Sequence, residues 1–205
     1  MARKDVAILV SAAGWIGGFV DQLIRALRER GVTDEQIHQL VTESGEMPVG
    51  KIADLLASLM LAAKNLFHLM VDYGRSIEGA VAAGKYDYAN PNITATNFPT
   101  KRAGKVKLAV ELVHFGRNID SDEAIAELDK MGLRPAGLHE LLALGEQHPE
   151  LQRQFPIVAL EQVWQRPDGY RNVPVLYESD RGRELLLLAF ALGWLDDYRF
   201  AAARK

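Results

Sequence analysis

Short apolar runs separated by turns fill residues 155–205, and they constrain the fold of this chain more than any other feature. Turn chemistry between them lies at Arg-Pro-Asp-Gly (166–169), Ser-Asp-Arg-Gly (179–182) and Asp-Asp (196–197). Runs of this length and spacing predict four antiparallel strands. The runs are FPIVALEQVWQ (155–165), RNVPVLYES (171–179), RELLLLAFALGW (183–194) and YRFAAAR (198–204).

Two features of these runs carry further expectations. Pro174 has no backbone N–H to donate, which predicts an edge strand or a bulge at that point. Residues 185–188 are all leucine, so this run is either a central strand covered on both faces or a short helix. We favour the strand.

Two strands and three helices are predicted upstream of these runs. FHLMVDY (67–73) and KVKLAVELVHFG (105–116) alternate between apolar and polar residues, with Val106, Leu108, Val110 and Leu112 facing the core in the second. Helices are predicted from a Ser76 cap to Gly84, from a Ser121 cap to Gly132, and over 137–147. Residues 85–105 are rich in Asn, Pro, Thr and Gly, which predicts an irregular loop.

The N-terminal part of the chain has helical periodicity. Helices are expected over 5–30, over 33–44 with a capping box between Thr33 and Gln36, and from about residue 49. The apolar stretch 6–20 has fifteen residues, which is short for a bilayer span of about 20 residues. We expect a buried helix there, with membrane contact or export as the alternative.

Composition places the chain among ordinary soluble globular proteins, with 48% apolar and 25% charged residues. The balance of 24 basic and 27 acidic residues gives no general field that favours nucleic acid or an anionic membrane. Cysteine is absent, so the chain has no disulfide framework, and this suits a reducing cytoplasm. The sequence therefore predicts an α+β protein with a helical segment over 1–65 and a mixed domain over 66–205, built on a mainly antiparallel sheet.

The order of elements after residue 105, a strand, two helices and then a run of short strands, resembles the C-type-lectin-like fold. The resemblance extends to its formylglycine-generating-enzyme branch and to the variable proteins of diversity-generating retroelements. The residues that carry it are Gly132-Leu133-Arg134-Pro135-Ala136 before a helix with Glu140, Trp164 at the end of a strand, and Trp194 with Tyr198-Arg199-Phe200. The chain also resembles a set of bacterial proteins of undetermined function.

This resemblance covers residues 105–205 and implies a scaffold that displays loops. The calcium-binding motifs of sugar-binding lectins and the paired cysteines of the formylglycine-generating oxidase have no counterpart in the sequence. Calcium-mediated sugar binding and that oxidation are therefore not implied.

The sequence contains no strong catalytic motif and no dinucleotide or phosphate-binding fingerprint. We therefore predict a non-catalytic binding or interaction module that needs no cofactor or metal. The predicted binding surface combines the loops 85–104, 165–172 and 178–183 with the turn 194–198. Its candidate ligand-binding residues are Tyr86, Tyr88, Tyr170, Tyr177, Trp194, Asp196 and Asp197.

Two alternatives from other functional classes stay open. One is a metal-dependent hydrolase that uses the acidic residues Asp120, Asp122, Asp196 and Asp197. The other is an assembly protein that forms homo-oligomers, or touches a membrane, through the apolar helix over 5–30. The partner in each case, a protein or a small molecule, is not identified by the sequence.

Overall fold

The computed structural model describes residues 17–39, 50–52, 54–55 and 65–205. The chain divides into two compact units, Met1–Met60 and Leu61–Lys205. The described residues of the first unit are helical over 17–29, Asp34–Gln39, 50–52 and 54–55. The predicted helical residues 5–16, 40–44 and 56–64 lie outside the described residues.

Local signals in the first unit are confirmed where the structure describes them. Thr33 and Gln36 form the predicted capping box, since each backbone N–H is bonded by the other's side chain at 2.9 and 3.3 Å. Of the stretch 6–20, where we expected a buried helix, the structure describes residues 17–20, and all four are exposed, Phe19 by 45%. Among the described residues of the chain, no helix combines the length and the apolar character needed to cross a bilayer.

A nine-stranded mixed sheet forms the centre of the second unit. Its strands are β1 (Leu66–Asp72), β2 (Tyr88–Ala89), β3 (Lys105–Val113), β4 (Leu133–Pro135), β5 (Ile157–Val158), β6 (Trp164–Gln165), β7 (Arg171–Ser179), β8 (Gly182–Ala189) and β9 (Arg199–Arg204). Their order along the sheet is β1-β3-β9-β5-β7-β8-β2, with β4 paired to β9 and β6 paired to β7. Every pairing is antiparallel except β5 with β9 and β2 with β8.

Three helices cover the two faces of this sheet: α1 (Ile77–Gly84), α2 (Ser121–Lys130) and α3 (Leu138–Gln147). The helices α1 and α3 pack on one face, where α3 buries Leu138, Leu141, Leu142 and Leu144 against strand residues. Helix α2 packs on the other face, beside a second core that contains Trp194 and Phe200. The predicted α+β class with a mainly antiparallel sheet is therefore confirmed.

The two covered faces explain the leucine run of β8. Leu185 and Leu187 belong to the core under α1 and α3, whereas Leu188 packs against the core on the opposite face. A strand whose two faces are both covered needs apolar residues at consecutive positions. The strand that we favoured for 185–188 is confirmed.

Three predictions about the other strands were wrong. Pro174 lies inside β7, between β5 and β8, in a register with β8 that contains no bulge. Its carbonyl accepts from the N–H of Ala159, just after β5 ends, so the missing N–H of Pro174 leaves no strand acceptor unpaired. The run 155–165 is not one strand, since β5 and β6 are separated at 159–163. The four runs are also not all antiparallel, because β5 pairs with β9 in parallel.

Asp120, and not Ser121, caps helix α2. The Asp120 side chain accepts from the N–H of Glu123 at 2.8 Å. Ser121 is the first helical residue and is buried; its Oγ donates to the carbonyl of Phe190 at 2.6 Å and accepts from the Trp194 indole at 2.8 Å. The hydroxyl therefore joins α2 to the loop after β8.

We expect Ser121→Ala to lower the free energy of unfolding by about 2 kcal/mol, because it leaves the buried indole N–H without an acceptor. Asp120→Ala removes only an exposed cap and is expected to cost about 1 kcal/mol. Urea unfolding of both variants measures the difference. A larger loss at Asp120 than at Ser121 would contradict this assignment.

A buried cation joins the ends of two helices to the hairpin β7–β8. The guanidinium of Arg183 donates to the carbonyls of Gly84 and Gly145, each at 2.7 Å, and to the Gln152 amide oxygen at 3.0 Å. Gly84 and Gly145 lie in the last turns of α1 and α3, where the helix dipole favours positive charge. Arg183 also lies 5.0 Å from the ring centroid of Tyr86.

The edge strand β1 is bonded by a side chain in place of another strand. The Gln147 carboxamide accepts from the Met70 N–H at 3.1 Å and donates to the Met70 carbonyl at 3.0 Å. One side chain thus pairs both outward-facing backbone groups of Met70.

Candidate functional site

Strand β5 brings three distant segments together at one end of the sheet. Ile157 lies opposite Leu176 in the antiparallel β7 and opposite Arg199 in the parallel β9. The residues before β5, the β7 residues after Leu176 and the residues before Arg199 therefore lie at the same end of the sheet. They line a cleft of about 250 Å³, which we call the β5 cleft. Its lining residues are Gln152, Arg153, Gln154, Phe155, Pro156, Tyr177, Glu178, Leu195, Asp197 and Tyr198.

The β5 cleft contains two of the seven predicted site residues, Tyr177 and Asp197. Phe155 and Tyr198 line the same cleft but were not among the seven predicted residues, although Tyr198 belongs to the turn 194–198 of the predicted surface. The Tyr198 ring packs at a tilt of 51° against the buried Trp194, with centroids 5.2 Å apart. Trp194 therefore supports the cleft from beneath and does not line it.

The charged groups around the cleft differ in how far they are paired. Arg153 is bonded to Glu178 Oε1 at 3.0 Å, and Arg199 donates to the carbonyl of Asp197 at 2.8 Å while it lies 4.7 Å from the Phe155 ring centroid. Within the described part of the chain, the buried Glu178 Oε2 has no hydrogen-bond partner. Burial raises the pKa of Tyr198, and its interactions with Tyr177 and with the negative charge of Asp197 raise it further.

The other predicted site residues lie elsewhere. Trp194 is 0% exposed and cannot touch an external ligand. Tyr86 is packed under Arg183, and a Cβ at Gly84 or Gly145 would overlap its ring, so it is a packing residue. Tyr88 is exposed on β2 and Tyr170 is 67% exposed in the turn before β7. Asp196 is exposed, and its carbonyl is bonded to His114 at 2.6 Å.

The predicted loops do not form one surface. The loops 165–172 and 178–183 flank opposite ends of β7, which has nine residues. At about 3.3 Å per residue these ends are about 26 Å apart. Of these two loops, only 178–183 lies at the end of β7 that is next to the turn 194–198. Tyr177 and Glu178 share the β5 cleft with Leu195 and Asp197.

The acidic residues of the hydrolase alternative are not gathered into a metal site. Asp120 is occupied as a helix cap. The described residues contain no group of three or more His, Cys, Asp or Glu side chains placed to hold a metal ion.

A buried ion network lies around Glu140, which is 0% exposed. Its carboxylate accepts two bonds from Arg134, at 2.7 and 3.0 Å, and one from the Tyr73 hydroxyl at 2.5 Å. The backbone N–H of Gly137 adds a bond at 2.8 Å and Arg102 a longer one at 3.3 Å. Despite the opposing effect of burial, these donors lower the pKa of Glu140, while burial and Glu140 raise the pKa of Tyr73 to about 12. Every lone-pair direction of the carboxylate is used, so this network stabilises the fold.

Two further clefts, of about 240 and 280 Å³, share Arg75 and His139. Their charged residues are paired, Arg75 with Glu146 at 2.7 Å and Lys105 with Asp72 at 3.6 Å. Burial lowers the pKa of His139, which keeps this imidazole neutral near pH 7. The β5 cleft therefore has the larger share of unpaired polar groups.

The second unit is thus an α+β domain with a cleft where β5, β7 and β9 end. No protein-family model matches the sequence. Comparisons with curated proteins and with solved structures also return no match. The resemblance of residues 105–205 to the C-type-lectin-like fold stays a prediction.

Proposed function

We propose that this protein is a non-catalytic binding module and that its ligand occupies the β5 cleft. The observation that carries the proposal is the convergence of Tyr177, Tyr198 and Asp197 with the unpartnered carboxylate oxygen of Glu178 at one concave site. The cleft combines three aromatic rings, which offer contact area, with polar side chains that can orient a ligand, and it is more polar than most small-molecule sites.

The lining residues favour binding over catalysis. They include two tyrosines, two carboxylates, two glutamines and one arginine, but no serine, cysteine, histidine or lysine. A nucleophile activated by an adjacent base, the usual arrangement for covalent catalysis, is not among them. Their hydrogen-bonding atoms can hold and orient a ligand.

The proposal is tested by screening small probes against the ¹⁵N-labelled protein with ¹H–¹⁵N correlation spectra. The probes are capped amino-acid amides, monosaccharides and nucleosides. We expect the ligands to shift the amides of 153–155, 177–178 and 195–198, and to be recovered unchanged after incubation. Tyr177→Ala is expected to weaken binding about tenfold, as for an aromatic residue at the centre of a contact.

Tyr170→Ala is the matched control, because Tyr170 is exposed at the opposite end of β7. It should leave binding unchanged. Probes that shift only the surroundings of Tyr73 and His139, or that respond equally to both variants, would contradict the assignment of the site. Chemical conversion of a probe would contradict the non-catalytic assignment.

A further inference from the structure

One carboxylate oxygen among the residues that line the β5 cleft has no hydrogen-bond donor in the part of the chain that the structure describes. Glu178 Oε1 is bonded to Arg153, but its Oε2 is buried and has no partner among the described residues. A buried carboxylate oxygen without a donor is costly, which is why such atoms are normally paired in folded proteins. The side chain as a whole is 27% exposed, so a rotation toward the cleft would bring this oxygen within reach of a ligand that donates N–H groups.

Asp197 adds a second carboxylate to the same cleft. It is exposed, and its carboxylate has no ion pair within the part of the chain that the structure describes. Its charge contributes to the raised pKa of Tyr198, so the negative field of Asp197 reaches the tyrosine ring. A field that disfavours a phenolate there favours a cation.

The two arginines near the cleft, Arg153 and Arg199, already have hydrogen-bond partners. Arg153 bonds to Glu178, while Arg199 bonds to the carbonyls of Asp197 and Tyr198, at 2.8 and 3.3 Å, and stacks on Phe155. Phe155 therefore already contacts one guanidinium through its ring face, as cation–π geometry allows. Tyr177 and Tyr198 provide two further aromatic rings in the same cleft.

The size of the cleft limits the ligand. Its volume of about 250 Å³ is below the range of about 300–1,000 Å³ that is usual for drug-sized ligands. One side chain of a larger partner fits this space better than a whole cofactor.

Resting on the proposed function, we propose that the β5 cleft binds a basic side chain, a guanidinium or an ammonium group, presented by a partner polypeptide. The cation lies among Tyr177, Tyr198 and the carboxylates of Asp197 and Glu178. Its N–H groups donate to the exposed carboxylate of Asp197 and, once the Glu178 side chain turns toward the cleft, to the free Glu178 oxygen, while its charge meets the aromatic rings.

The test compares N-acetyl-arginine methylamide with its uncharged isostere, N-acetyl-citrulline methylamide, by titration of the full chain in ¹H–¹⁵N spectra. We expect the arginine probe to bind at least about fivefold more tightly, the effect of about one ion pair. The lysine amide should compete with it, and added salt should weaken both. Equal affinity for arginine and citrulline would overturn the proposal.

Asp197→Asn and Asp196→Asn form a matched pair, because both residues are exposed and only Asp197 lines the cleft. The first variant should lose about fivefold in affinity for the arginine probe, and the second should lose nothing. An equal response of the two variants would overturn the role of Asp197 as the counter-ion.

Two further probes separate the possible failures. Free arginine carries an α-carboxylate that Asp197 repels, so tighter binding of free than of capped arginine would overturn a polypeptide partner and indicate a free amino acid. Binding of N-acetyl-glutamate methylamide at the same amides, without binding of the arginine probe, would overturn the cation while leaving the binding module intact. Absence of any shift with every probe at 50 mM would overturn both.

Discussion

Arg183→Met is expected to lower the free energy of unfolding by about 3 kcal/mol, since it leaves three buried acceptors without their donor. Those acceptors are the carbonyls of Gly84 and Gly145 and the side-chain oxygen of Gln152. The methionine retains most of the buried volume, so the loss of unfolding free energy measures the contribution of the guanidinium hydrogen bonds. Urea unfolding of the full chain, followed by tryptophan fluorescence, provides the measurement.

Arg181→Met is the control for this substitution. Arg181 lies two residues away in the same hairpin turn and is exposed, so its loss should change stability by less than about 0.5 kcal/mol. Similar losses at the two positions would show that Arg183 does not connect the helix ends.

Glu140→Gln is expected to lower the free energy of unfolding by about 3 kcal/mol at pH 7. The amide keeps the shape of the side chain but places an NH₂ group against donors from Arg134, Tyr73 or Gly137. Urea unfolding gives the value. Glu123→Gln is the control, because Glu123 is exposed and pairs with the exposed Arg117 at 2.8 Å, away from Glu140, so its removal should cost about 1 kcal/mol or less.

The same carboxylate predicts a dependence of stability on pH. The folded protein holds the pKa of Glu140 below its ordinary value, so on acidification the unfolded chain takes up the proton first. The contribution of Glu140 is therefore fully present above the unfolded pKa and is lost as the pH falls through the folded pKa. Below about pH 5, wild-type stability should fall more steeply than that of Glu140→Gln. Parallel pH profiles for the two proteins would contradict this.

The sequence predicted those parts of the fold that depend on neighbouring residues. The alternation in β1 and β3, the Ser76 cap of α1 and the apolar stripe of α3 are each set within ten or so residues. Even in β3 the prediction reached too far, because Val106 is 44% exposed at the end where the covering helices stop.

Features that depend on distant residues were missed. Pro174 looked like an edge residue because nothing local shows that β5 is only two residues long. Nothing near Arg183 or Glu140 in the sequence predicts that either residue is buried, because they have partners up to 99 positions away. Arg183 lies in the polar stretch 179–184, which is typical of an exposed turn.

The candidate site was predicted only in part, for the same reason. Tyr177 and Asp197 were selected because they flank turns, but their proximity depends on the pairing of β5 with both β7 and β9. Tyr86 and Trp194 were selected by residue type, and the structure uses both for packing. An aromatic residue in a loop region does not by itself distinguish a ligand contact from an internal anchor.

The bonding of Gln147 to Met70 has a consequence for how this molecule behaves at high concentration. An open sheet border is a template for polymerisation, because its free amides and carbonyls recruit any extended chain nearby. Here an intruding chain would first have to break two good hydrogen bonds and expel a carboxamide that is tethered to a helix. The Gln147 side chain thus opposes fibril growth along that border at Met70.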